Sequence, residues 1–387
     1  MMPRFYKGQV AMLLLCAILA GVIGMGHAMA GGPKLIQTGS LGGEDDDWSF
    51  TGGTQMAVDS AGDLYVLDPG NYRVLRFDSD WRLKKEFGRQ GNGPGEFEEP
   101  KSIQITPEGH IAVFDSTLKR LTLFDGEGKV LKTKRLESSI VAVYRSVVLD
   151  GGKAAFISAK SSQGKPIYDL SIYDADMAEQ ISLVRLKVDP LDWSKANETA
   201  FWVDFLRERM ELFAGGIPVL GSLNERVLVY GRANQYQLTF ADGEGNSVRH
   251  ISRDLKPKPF TEEMKRAAFE GIWVQLCADP FLATRLTQSV FESAIRKADI
   301  PPALPMIHAI VRLESGIGVL ANYHPVDHTG VFDLFDAQGR HLASCDWKGS
   351  VLQMIGAGRR VYTVGFDADD NMVIRRYRFD DAGFPTR

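Results

Sequence analysis

Short alternating apolar runs dominate the first third of the chain. Leu64 and Val66 alternate with their neighbours, Ser60-Ala61-Gly62-Asp63 precedes them, and Phe77-Asp78 closes the run. The same text returns 47 positions on: Gly62 matches Gly109, Asp68 matches Asp115, Arg73 matches Arg120, and Phe77-Asp78 matches Phe124-Asp125. Ile111 and Val113 stand where Leu64 and Val66 stood, after Pro107-Glu108-Gly109-His110. This pattern predicts strand, tight turn, strand. Between the copies, Gly88 to Pro100 is rich in glycine and predicts a crossing segment.

A repeat of this length built only from strands predicts propeller blades, four-stranded sheets set around an axis. The aromatic-Asp ending continues as Tyr173-Asp174, Phe240-Ala241-Asp242, Phe335-Asp336 and Phe379-Asp380, which makes six units in all. The predicted class is all-β, a six-bladed β-propeller over residues 31–387. Inner strands are expected near Gln55–Asp59, Ser102–Thr106, Ser146–Asp150, Pro218–Ser222, His308–Leu313 and Leu352–Ala357. Too little chain follows Gly383 for a last outer strand, so Lys34–Leu41 is expected to supply it and close the ring.

Gly88-x-x-Gly91-x-x-x-Gly95-x-Phe97-x-x-Pro100, followed by Gly109-x-Ile-x-Val-x-Asp115, resembles the NHL repeat, as does Asp68-x-x-Asn71-x-Arg73-Val-x-x-Phe77-Asp78. The resemblance is specific over about Gly52 to Lys132. Beyond that only the aromatic-Asp ending persists, and Thr117-Leu118 replace the loop Asn in the second copy. The whole resembles the bacterial six-bladed propellers of NHL ancestry. Some NHL propellers are amidating lyases with a histidine-bound metal, and lactonase-like or strictosidine-synthase-like relatives hold a metal on Glu, Asn and Asp near the axis. Here the inner strands offer mainly Asp59, Gln104, Asp150 and His308.

Two segments break the repeat. Residues 186–216 carry Asn197 as an expected N-cap and an aromatic helix with Phe201, Trp202, Phe205, Leu206, Leu212 and Phe213. Residues 254–306 predict two helices, about Glu262–Leu276 and Phe281–Ala298, the first capped at Thr261. Both follow an outer strand, so both are expected to cap the face that carries the strand-two-to-three loops.

The first thirty residues differ in kind. Arg4 and Lys7, an apolar run from Val10 to Met25 and Ala28-Met29-Ala30 predict a secretory signal peptide over 1–30, hence a periplasmic or secreted protein with no membrane span after cleavage. Its removal takes the 45 basic residues to 43 against 49 acidic ones, which leaves no basic field for nucleic acid. Cys277 and Cys345 remain, either bonded or as separate thiols.

No nucleophile elbow or phosphate loop is present, and no cofactor is implied. The expected function is non-enzymatic: an exported binding or scaffold protein presenting its capped mouth to a protein, peptide or glycan. Trp202, Arg209, Arg285, Tyr323, His324 and His328 are the expected lining. The alternative is a metal-dependent hydrolase or lyase at the axis, with His308, His324 and His328 around a divalent ion. Asp68, Arg73, Asp115 and Arg120 are expected to be scaffolding.

Overall fold

The computed structural model describes residues 33–380 except 44, 45, 47, 163, 164, 190, 213–216, 266–268, 270–272, 274–285 and 299–302. Strands β1 to β24 form six four-stranded antiparallel sheets. Blades one to five are β2–β5 (55–87), β6–β9 (100–135), β10–β13 (140–187), β14–β17 (218–252) and β18–β21 (307–348). Blade six is β22–β24 (353–379) completed by β1 (Leu35–Gly42). The expected closure is therefore present. Leu35 pairs with Phe379 and Gly42 with Val373, and Lys34 and Asp380 exchange hydrogen bonds of 3.1 and 2.9 Å at the seam.

Burial explains the strand texts. The second strand of a blade is packed between its neighbours, so β3 (Leu64–Asp68) and β7 (Ile111–Asp115) are buried at every position. Outer strands β5 (Leu83–Phe87) and β9 (Val130–Arg135) face solvent and carry lysines, which discourage pairing with a further strand. The aromatic-Asp mark has two separate causes. Phe77, Phe124, Tyr173, Phe240, Phe335 and Phe379 are all buried between blades. The Asp that follows accepts two backbone N–H groups of its turn, as Asp78 does from Asp80 and Arg82 at 2.9 Å each, and Asp125 from Glu127 and Lys129 at 2.9 Å each.

The glycine-rich crossing is held by its neighbours. Arg120 donates to the carbonyls of Asn92, Gly93 and Glu96 at 3.0, 2.7 and 2.8 Å. Asp115 accepts from the N–H groups of Glu98, Glu99 and Leu118. Gly88 has φ +96°, and a Cβ there would lie 2.5 Å from the Phe97 ring, so this turn excludes larger residues. Asp68, fully buried, accepts from Thr51, Asn71 and Arg73. These residues are scaffolding.

The two insertions share one face. In the first, helix α1 (Thr199–Glu211) is capped at Glu198 with no side-chain bond, so Asn197 is not its N-cap. In the second, Met264 N–H is 3.3 Å from Thr261 Oγ1, and α2 (Gln288–Lys297) is capped by Thr287. The expected start of that helix at Phe281 lies outside the described residues, as do the signal segment, Cys277 and Arg285. Phe201, Trp202, Phe205, Leu206 and Met210 of α1 pack with Phe260, Met264, Phe291 and Ala294 into one cluster, joined by Val326 from the blade-five loop. The cap thus has its own core.

Candidate binding site in the axial channel

The inner strands surround a channel of about 1690 Å³. Its wall takes residues from β2 (Gln55–Val58), β6 (Pro100–Ile105), β10 (Ile140–Val148), β14 (Pro218–Ser222), β18 (Ile307–Leu313) and β22 (Gln353–Ala357), together with the hairpins that leave them. Every inner strand runs from the capped face toward those hairpins. The channel therefore opens opposite the insertions, and no described cap residue lines it. The expected binding mouth lies beneath the cap, on the face opposite these hairpins.

One inner strand departs from its expected text. β10 begins at Ile140, not near Ser146, and its pairing with β11 (Ala154–Ser162) slips between Val143 and Arg145. Tyr144 is the extra residue of this bulge. A bulge turns the side chains beside it, and here Tyr144 and Arg145 both reach the channel wall. Arg145 stretches toward the carbonyls of Ile310 on blade five and Met354 on blade six, each at 3.5 Å. Both contacts lie at the limit of hydrogen bonding. Among the described residues, no ion pair engages Arg145, whereas Arg312 pairs with Glu225 at 2.6 Å and Arg340 with Asp336 at 2.7 Å. Burial lowers the pKa of Arg145 from its ordinary value, yet a guanidinium remains charged at any pH a protein meets.

Neutral polar groups line the same channel. Ser102 and Ser146 hydroxyls are 2.5 Å apart across blades two and three. Gln353 accepts from Met56 N–H at 2.8 Å through its carbonyl oxygen, which leaves its NH2 group for the channel. His308 Nε2 is 3.1 Å from Val351 O; a carbonyl only accepts, so Nε2 carries the proton and Nδ1 is the acceptor. Burial, with the charge of Arg145 adding to it against the Val351 bond, brings the His308 pKa down to about 4.

The residues expected to line a partner surface fare differently. Trp202 is fully buried in the cap core, its indole donating to Ala196 O at 2.8 Å; an aromatic this large is consumed by packing two insertions together. Arg209 lies over the Phe205 ring at 5.1 Å. Tyr323 is buried and joins blades five and six, accepting from Val351 N–H at 3.0 Å and donating to Gly349 O at 3.3 Å. His328 Nδ1 is 3.0 Å from the Tyr323 hydroxyl. His324 Nδ1 accepts the Asp327 N–H at 3.1 Å. His308, His324 and His328 are not brought together as a ligand set, since among the described residues no three His, Cys, Asp or Glu side chains are grouped for a metal. Asp59 and Asp150 are likewise engaged, the first by Ala61 and Asp63 N–H and the second by Arg226.

A serine, a histidine and an aspartate do meet between blades four and five. Ser344 Oγ is 2.9 Å from His341 Nε2 and 2.5 Å from Asp333 Oδ1. The order is wrong for nucleophilic catalysis, where the carboxylate orients the imidazole through Nδ1. Asp333 instead accepts from Ser344, from Tyr236 at 2.7 Å and from Arg253, which ties the two blades together.

Fold and channel together define a six-bladed propeller with an open axial site. Residues 52–189 match the model of a family described as 6-bladed beta-propeller. A stretch of 79 residues is 29% identical to NHL repeat-containing protein 3 of Homo sapiens, covering 20% of this chain and 23% of that protein; the mouse protein matches at 30%. The match thus spans about a quarter of the curated relatives. A crystal structure from Bacteroides fragilis, assigned as an exported protein, superposes with a TM-score of 0.51 at 11% identity, over 90% of this chain and 95% of that one. A gluconolactonase from Xanthomonas campestris superposes at a TM-score of 0.44 and 11% identity, over 90% and 96%. The NHL-like repeat and the propeller fold read from the sequence are therefore shared with known proteins. Among the described residues, no helix is long and apolar enough to cross a membrane.

Proposed function

We propose that the protein is an exported binding protein which takes a polar end group of a protein, peptide or glycan partner into its axial channel. The observation that carries this reading is the channel itself. All six inner strands contribute to it, and it opens on the face that the insertions leave free. Its wall is mixed, with Ser102, Gln104, Ser146 and Gln353 among apolar side chains, the composition expected of a site that orients a polar ligand. Export is supported by the signal-like start.

The test is a rim block. Tryptophan placed at two hairpin tips, Ser60→Trp with Ser315→Trp, narrows the open mouth without touching the sheets. Binding of the parent and the blocked protein to arrays of envelope glycan fragments and peptides is then compared. The proposal expects parent signals that the blocked protein loses. Equal signals from both proteins would place binding elsewhere and refute it.

A further inference from the structure

Arg145 is the feature of the channel that the fold does not need. It contributes no apolar contact to a blade core, its two hydrogen bonds are long, and no carboxylate among the described residues answers its charge. Arg145 is half-buried on the channel wall, and a partly desolvated cation without a counter-ion is unfavourable. The neutral polar groups on the same channel wall do not relieve this. His308 is neutral, and the Ser102–Ser146 pair and Gln353 are uncharged. Of the acids on the mouth hairpins, Glu225 and Asp336 are taken by Arg312 and Arg340, and Asp59, Glu108 and Glu314 form no ion pair with Arg145.

We infer that the axial channel binds a carboxylate-bearing ligand, with the carboxylate seated on the Arg145 guanidinium and hydrogen-bonded by the surrounding neutral donors. This rests on the channel being the binding site and names the group it takes. A guanidinium fork fits either carboxylate or phosphate. Charge favours a carboxylate over a phosphate monoester: one half-buried cation balances one negative charge, and a phosphate dianion would bring a second charge that Arg145 does not answer. Acetate alone would fill little of a 1690 Å³ space, so the carboxylate is the head of a larger polar molecule. A sugar acid and a peptide C-terminus share this chemistry, and the test separates them.

Isothermal titration of the full chain uses glucuronate and N-acetylalanine, each against its uncharged counterpart, methyl glucuronate ester or N-acetylalanine amide, with inorganic phosphate as a third probe. The inference expects at least one acid to bind and its uncharged counterpart to bind roughly tenfold to a hundredfold more weakly, the worth of a charge-assisted hydrogen bond. Whichever acid binds identifies the source. Arg145→Gln is expected to lose the preference for the acid, and Arg145→Lys to keep part of it. The acid-against-neutral comparison needs only the parent protein, so a variant that fails to fold does not blunt the test. Equal binding of acid and neutral forms, or phosphate binding above both acids, overturns the carboxylate assignment and leaves the channel as a site. If none of the five probes binds the parent at tens of millimolar, a concentration well above typical ligand affinities, the carboxylate inference is overturned. If the rim block also fails, the channel reading falls with it.

Discussion

His308 offers a test of the axial environment that needs no ligand. Its ring is packed 4.4 Å from that of Tyr323, donates to Val351 O and feels the charge of Arg145 across the channel. In the unfolded chain it protonates near 6.5, and in the folded protein only near 4. The unfolded state therefore binds more protons between those values, so folding stability falls as pH drops through the window and levels off below it. One factor of ten in proton affinity is worth about 1.4 kcal/mol, so the full window carries about 3 kcal/mol, of which about 2 kcal/mol is lost between about pH 7 and 5. His308→Gln keeps an amide donor for Val351 O and removes the titration. Urea unfolding of parent and variant across this range gives the difference directly, because carboxylates that titrate in both proteins cancel. The parent is expected to lose about 2 kcal/mol relative to the variant on acidification. Parallel pH curves for the two proteins would show that the imidazole is not held neutral by its surroundings, and would remove His308 from the neutral groups of the channel.

Three further outcomes follow from the packing. Arg145→Met replaces an unpaired cation by an apolar chain of similar reach and is expected to raise stability by about 1 kcal/mol in urea unfolding while abolishing carboxylate binding. Trp202→Ala removes the largest buried side chain of the cap and is expected to cost about 3–5 kcal/mol locally, seen as lost hydrogen-exchange protection in α1 and α2 with the blades unchanged; uniform loss across the blades would contradict a separate cap core. A chain that begins at Gly43 lacks β1 and leaves β24 paired only with β23, its outer edge open, so its thermal transition is expected to fall well below the parent and to broaden, whereas an unchanged transition would mean that the seam contributes nothing.

The ring was legible because two independent constraints were written at nearly the same place in blades one to five. A buried aromatic and a turn-capping aspartate recur together, as at Phe77-Asp78 and Phe335-Asp336. Residues 186–216 and 254–306 stood out because helical periodicity interrupted strand periodicity. Side-chain direction was not legible. Trp202 and Tyr323 look the same in sequence whether they face a partner or a core, and only the meeting of the two insertions and of blades five and six decides it. Arg145 was missed for a definite reason. The irregular pairing of β10 starts the strand earlier than alternation suggests and breaks the period of two at Tyr144. The only textual sign is an arginine within Val141-Ala142-Val143-Tyr144-Arg145, a run otherwise suited to a strand.

Cap and channel are two separable devices on one ring. Each sheet has its four strands without help from the insertions, and the insertions bury their aromatics against each other. Deleting the first insertion alone would expose the partners of Trp202 in the second, so loss of function after such a deletion would report a broken cap and not a broken site. The charges of the ring are arranged with the same economy. Asp68, Asp115 and Asp333 hold loops and blade contacts, and Asp336 and Glu225 take Arg340 and Arg312 at the rim. With those acids committed to structure, the charge of Arg145 is left for something that enters from outside, and the free hairpin face is the way in.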